Sequence, residues 1–347
     1  MHPWLKRLIG PIVRLLPIRK LCSLLYRRRG VEIPILLCID IEPDERLVDR
    51  DHPQPWHAFE HLLPRIEEVR RRLAGFTGGA VPITWLIRMD PQIADTWGSP
   101  TWPVDTYRDL LTELEDRGDE FGLHTHLWRW DEGAADWVTD HDPAWSEHCV
   151  DMALDAFERS FGRPCPVHRG GDHALTGEML ARLTAARVKV DLTVEPGLPP
   201  TFPAGEARSI GSPPDYRLAP RRPYRSSPER FPAPDPAAHP AGPLLVPQAS
   251  GPALSGLWGS QLPLGTHPSL FAVRILAEVR QDPPPVLVFT LRTDTTTICT
   301  WDRLVQNIEQ VARHPDARFV STTEVLARYG GTPAASPVSP RAAATTS

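Results

Sequence analysis

The 347-residue chain is long enough for one large α/β domain or two modest ones, and its 41% hydrophobic and 23% charged composition is that of a globular protein. A net charge of −5 and a pI near 6.2 argue against a nucleic-acid binder, which carries a basic footprint. No run reaches the ~18 uncharged apolar residues of a membrane span. Five scattered cysteines without a CxxC pair are poor material for a disulfide framework and point to a reducing, cytoplasmic compartment.

Residues 1–33 form a basic, amphipathic segment. Lysines and arginines from Lys6 to Arg29 alternate with Trp4, Leu5, Leu8, Ile9 and further leucines, and no acidic residue precedes Glu32. Arg14, Pro11 and Pro17 interrupt the apolar core that a signal peptide needs. Two readings remain open over residues 1–30: a peripheral contact with an anionic membrane surface, or a basic helix packed on the domain.

From residue 34 short apolar runs alternate with amphipathic stretches. Strands are expected over 35–41, 81–87, 121–126, 167–169, 188–193, 286–291 and 318–320. Between them lie helices over 59–75, 107–114, 145–161, 175–183, 270–279 and 304–312. Alternation of this kind implies a parallel sheet, and its extent predicts a distorted (β/α) barrel of seven or eight parallel strands over 34–330. The prolines gather between Pro196 and Pro268 and mark a long Pro-rich insertion at about 197–265, with one short strand near 244–246. The tail, 331–347, has a disordered composition.

In parallel α/β folds ligands gather at the carboxyl ends of strands, so polar residues that close an apolar strand are the ones to weigh. Asp40 and Glu42 close the first strand, His124 and His126 the third. Residues i and i+2 of a strand share a face. Each pair can therefore present both side chains together. Two imidazoles beside two carboxylates suit a divalent cation, which also relieves the repulsion between the acids. Such a set supplies ligands from His124, His126 and a carboxylate of Asp40 or Glu42.

The order Asp40-x-Glu42, then Gly-Asp-Glu-Phe-Gly-Leu-His-Thr-His at 118–126, then Arg169-Gly170-Gly171 resembles the NodB-homology polysaccharide deacetylases, carbohydrate esterase family 4. The likeness is closest to a divergent subgroup associated with lipopolysaccharide or surface-glycan assembly. It implies a catalytic base at Asp40, metal ligands at Glu42 and His124, an arginine at Arg169 that pairs with the base, and a further acid at Asp191. His126 joins the ligand set by geometry, because the family's second histidine position is occupied here by Trp128. The family's late histidine general acid is missing from Phe289-Thr290-Leu291-Arg292-Thr293-Asp294, which leaves His173 or a water to supply that proton.

The expectation is a metal-dependent hydrolase that removes an acetyl group from an N-acetylated sugar or glycan intermediate. Zinc is the first choice of ion; nickel, cobalt and manganese suit similar ligands. Trp128, Trp130, Arg88 and Asp90 are candidates for substrate binding at the mouth, and Glu195 is a secondary candidate at the end of the strand before it. An amidohydrolase would place its H-x-H pair on the first strand, against the order found here. A catalytically silent barrel that binds glycan or an assembly partner is the remaining alternative.

Overall fold

The computed structural model describes residues 28–200, 209–249 and 264–331. The membrane-contact reading of residues 1–30 and the tail therefore lie almost wholly outside the described residues. Among those described, no helix is long and apolar enough to cross a membrane.

A parallel, eight-stranded sheet forms the frame. Its path runs β10 (Leu287–Arg292), β1 (Ile33–Ile41), β2 (Ile83–Arg88), β3 (Glu120–Thr125), β6 (Val167–Gly170), β7 (Val190–Asp191) and β9 (Leu244–Leu245), and β11 (Ala317–Phe319) pairs with the start of β1. The two ends of the path meet at a single parallel bridge, Gln248 to Val288, where the Ala249 amide donates to the Val288 carbonyl at 3.1 Å. One bridge in place of a full ladder makes this the distorted barrel the alternation predicts.

Alternation divides each strand between two environments. Leu36, Cys38, Leu86, Val167, Val190, Leu192, Leu244, Val246, Val286 and Val288 form one buried cluster, the barrel interior. Side chains of the last helix, α9 (Thr322–Tyr329), pack against this set. The alternate residues Ile35, Leu37, Ile39, Ile41, Ile83, Trp85 and Ile87 face the helical layer. There they meet Phe59, Leu62, Ile66, Val69 and Leu73 of α1 (His57–Thr77) and Ile308 and Val311 of α8 (Thr295–Ala312). Helix α1 runs through Gly75 and stops at Gly78, whose left-handed backbone (φ 71°) is the usual glycine terminator. Helix α8 begins at Thr295, just after its Asp294 cap and nine residues before the expected start, because the Thr-rich first turn carries no apolar period.

The remaining helices are α2 (Pro91–Trp97), α3 (Trp102–Thr106), α4 (Arg108–Asp116), α5 (Pro143–Phe161), α6 (Gly177–Ala185) and α7 (Pro268–Val279). An antiparallel hairpin not expected from the sequence, β4 (Trp128–Asp131) with β5 (Asp136–Asp140), leaves the end of β3 and is joined by β8 (Ser209–Ile210). The short strand expected in the Pro-rich stretch is present as β9 and belongs to the barrel sheet itself.

Register fixes the height of the polar rim. Asp40 on β1 lies beside Arg292 on β10; Arg88 on β2 lies beside His124 on β3, and His124 beside Arg169 on β6. Below them Leu86 lies beside Gly122, and Val167 beside Val190. Charge thus sits at the carboxyl ends of the strands, directly on an apolar floor.

Candidate metal centre

The interior face of β1 ends in Asp40 and Glu42, both buried. Thr293, just past β10, holds that end in place. Its amide donates to the Asp40 carbonyl at 3.0 Å, and its hydroxyl accepts from the Glu42 amide at 2.9 Å. The imidazoles of His124 and His126 close on the same point. Their Nε2 atoms are 3.1 Å apart, and Glu42 Oε1 lies 3.1 Å from His124 Nε2 and 4.0 Å from His126 Nε2. Tetrahedral zinc with bonds of ~2.1 Å separates its ligand atoms by roughly 3.4 Å. The observed spacings bracket that value, and among the described residues Glu42, His124 and His126 are the group able to hold an ion.

The proton bookkeeping agrees with the distances. His124 Nδ1 donates to the Arg169 carbonyl at 3.0 Å, which leaves a lone pair on Nε2. His126 Nδ1 faces two groups with opposite demands: Asp172 Oδ2 at 3.1 Å needs a proton there, and the Trp128 indole N–H at 2.6 Å needs a lone pair. The carboxylate wins when the ring acts as a ligand, because its bond is charge-assisted and Arg46 fixes it at 2.6 Å. Burial, with the Arg88 charge, lowers the pKa of His126 to about 4, so the ring is neutral near pH 7 as a ligand must be. Three buried acceptors converging without a donor among them fit a cation.

Asp40 stands beside this set in a different role. Its Oδ2 accepts from Arg169 Nη1 at 2.6 Å and lies 3.7 Å from His124 Nε2. Its Oδ1 is buried without a hydrogen-bond partner, an acceptor free for a substrate or water. Burial pushes the Asp40 carboxyl up from its ordinary value, against the pull of Arg169 and His124.

The other sequence candidates fall elsewhere. Arg88 and Asp90 are buried against each other at 2.5 and 3.0 Å, with Gln92 accepting from Arg88 at 2.7 Å. Asp90 Oδ2 accepts from the His126 amide at 3.0 Å, so this unit buttresses a ligand from below. Trp128 is buried, with Arg46 stacked on its ring at 5.0 Å. Trp130 is half-buried and meets Trp137 edge-to-face at 5.2 Å, with Arg50 above its ring at 4.2 Å. Asp191 is turned to the outer face: its neighbours Val190 and Leu192 line the interior, and its carboxylate holds His168 at 2.7 Å and the Thr193 amide at 2.9 Å. It makes no hydrogen bond to the His–Glu–Asp cluster.

Two residues near the cluster escaped the sequence reading. Asp172 lies in a tight turn after Arg169-Gly170-Gly171, and Arg46 comes from the loop after β1. Only the position of Asp172 next to that motif could have drawn attention to it. Gly171 leaves room for the ligand itself, since a Cβ there would collide with the His126 ring.

No family model and no curated protein matches this chain. Solved structures do. A protein from Mycobacterium smegmatis described as a polysaccharide deacetylase is 11% identical, with a TM-score of 0.45 over 87% of this chain and 91% of that one. A family 4 acetyl xylan esterase from Clostridium thermocellum, solved with a cobalt ion, is 9% identical, with a TM-score of 0.37 over 85% and 91%. A 4-alpha-glucanotransferase from Thermococcus litoralis is 14% identical, with a TM-score of 0.45 over 86% of this chain and 40% of that one.

Proposed function

We propose that this chain is a divalent-cation-dependent hydrolase that removes an acyl group, acetyl in the simplest case, from an N-acylated sugar. The observation that carries the reading is the convergence of His124, His126 and Glu42 on one point, with the unpartnered Oδ1 of Asp40 beside it. Two histidines and one carboxylate with room for a fourth ligand is a donor set of catalytic zinc, the ion we propose. A dication held there supplies Lewis acidity toward an acyl carbonyl and a water.

The chain's own residues do the rest. Glu42, His124 and His126 hold the ion; Asp172 and the Arg169 carbonyl orient the two rings. Asp40 Oδ1 takes the proton of the attacking water, and Arg169 keeps the carboxylate turned so that this oxygen stays free. The sugar part of the reading is supported by the Asp40-x-Glu42, His124-x-His126 and Arg169-Gly170-Gly171 order. The basic residues of segment 1–30 support a site at the inner membrane surface, on an intermediate of surface-glycan assembly.

The test is acetate release from a panel of N-acetylated sugars by zinc-loaded protein, with Asp40→Asn and His124→Ala alongside. Turnover is expected to fall by about 10²–10⁴-fold in Asp40→Asn, the range for losing a general base. Wild-type rates in both variants would overturn the reading.

A further inference from the structure

A cavity of about 320 Å³ is lined by Arg169, His173, Glu195, Gln248, Phe289 and Arg292, among others. Its two arginines link it to the cluster: Arg169 bonds Asp40, and Arg292 lies beside Asp40 in the sheet. Glu195 follows β7 and His173 follows β6, so both stand at the carboxyl ends of neighbouring strands. Glu195 Oε2 lies 3.3 Å from His173 Nε2. The turn that delivers His173 has two successive residues in the left-handed region, Asp172 (φ 51°) and His173 (φ 60°). Non-glycine residues are uncommon there. That turn sends Asp172 to the ligand His126 and His173 to Glu195, one strained segment serving both sides of Arg169.

We propose that Glu195, paired with His173, gives the proton to the leaving nitrogen when the acyl–nitrogen bond breaks. The inference rests on the hydrolase reading above. Amide hydrolysis needs two proton transfers. Asp40 takes one proton from water as the C–O bond forms. The C–N bond then breaks, its electron pair goes to nitrogen, and nitrogen takes the proton of the Glu195 carboxyl to leave as a neutral amine. Asp40 returns its proton to solvent and Glu195 recovers one, so the cycle balances. The environment keeps Glu195 ready for this task. Burial raises its pKa to about 7 against the pull of Arg169 and Arg274, while burial and Arg169 lower His173 to about 4, against Asp172, so that the imidazole stays neutral. The neutral ring donates its Nε2–H to Glu195 Oε2, which leaves the carboxyl proton on Oε1 for the leaving nitrogen.

The experiment compares two substrates that differ in leaving group. One is the N-acetylated sugar that wild-type protein turns over fastest, whose amine must be protonated to leave. The other is 4-nitrophenyl acetate, whose phenolate leaves unaided. Glu195→Gln is expected to lose about 10²–10³-fold on the sugar and less than about 3-fold on the aryl ester. Glu195→Asp, which keeps a displaced carboxyl, recovers part of the loss. Infrared titration gives a readout apart from turnover: a carboxyl band titrating near pH 7 disappears in Glu195→Gln and moves in His173→Gln. Equal losses on both substrates, no loss on either, or an unchanged infrared titration overturns the inference and leaves the hydrolase reading standing. A wild-type protein that turns over neither substrate overturns both.

Discussion

The carbonyl of Arg169 accepts the Nδ1 proton of His124 at 3.0 Å, while the guanidinium of the same residue reaches past that ring to Asp40. One residue thus orients a ligand through its main chain and the base through its side chain. The two functions separate by substitution. Arg169→Gln keeps the carbonyl and removes the charge, so zinc affinity is expected to stay within about 3-fold of wild type. The buried Asp40 loses its ionic partner, which costs about 3–5 kcal/mol of stability. Denaturant unfolding of the zinc-free protein and a competitive zinc titration check the two halves. A loss of zinc affinity as large as that of His124→Ala would contradict the division.

Asp172 acts on the ion at one remove. Asp172→Asn cannot supply a full negative charge to the Nδ1–H of His126, and it leaves Trp128 free to claim that nitrogen. The ring then carries its proton on Nε2, the wrong tautomer for a ligand. Losing an outer carboxylate of this kind lowers metal affinity by about 10–100-fold. A zinc titration against a chelator measures it, with His126→Ala as the lower limit. An affinity equal to wild type would assign Asp172 to the Arg46 ion pair alone.

The residues that meet at the cation were legible because strand alternation holds whatever the tertiary context. Asp40 with Glu42, and His124 with His126, had to share a face once each run was a strand. The same rule was available at Asp191, where apolar Val190 and Leu192 on either side claim the interior and turn the acid outward; the family likeness pulled the other way. Asp172 and Glu195 lie in turns, where no period exists to assign a face. The hairpin from Trp128 to Asp140 was hidden for a related reason: its polar and aromatic residues mix without a clean two-residue alternation, and its strands pair over only a few residues.

The elevated pKa of Glu195 predicts how stability depends on pH. Its folded value, about 7, lies above the ordinary 4.5, so folding favours the protonated carboxyl. That contribution is fully present below pH 4.5 and is lost as pH rises through 7. Glu195→Gln cannot ionise and escapes the loss. Relative to wild type, the variant should gain stability steadily between pH 5 and 7 and then level off. The total gain is on the order of 3 kcal/mol, at about 1.4 kcal/mol per pH unit for one proton. Urea unfolding of both zinc-free proteins at half-unit intervals tests this. A stability difference that does not vary with pH would mean that Glu195 is ionised in the folded protein throughout.

Gly171 offers a cleaner route to the cation than any ligand substitution, because it changes no charge. A Cβ at this position would occupy the space of the His126 imidazole, and the flanking turn is already constrained by Asp172 and His173 in the left-handed region. The ring is the softer partner. It rotates away, breaks its contact with Asp172, and takes Nε2 from the point shared with His124 and Glu42. Gly171→Ala is therefore expected to weaken zinc binding by at least about 10-fold, comparable to loss of an orienting partner. The barrel is expected to survive, since the surrounding sheet pairs are untouched, and cobalt substitution makes the change visible. A tetrahedral cobalt spectrum in wild type should weaken in the variant at equal cobalt, while the far-ultraviolet circular dichroism stays the same. An unaltered cobalt spectrum would place the His126 ring somewhere other than against Gly171.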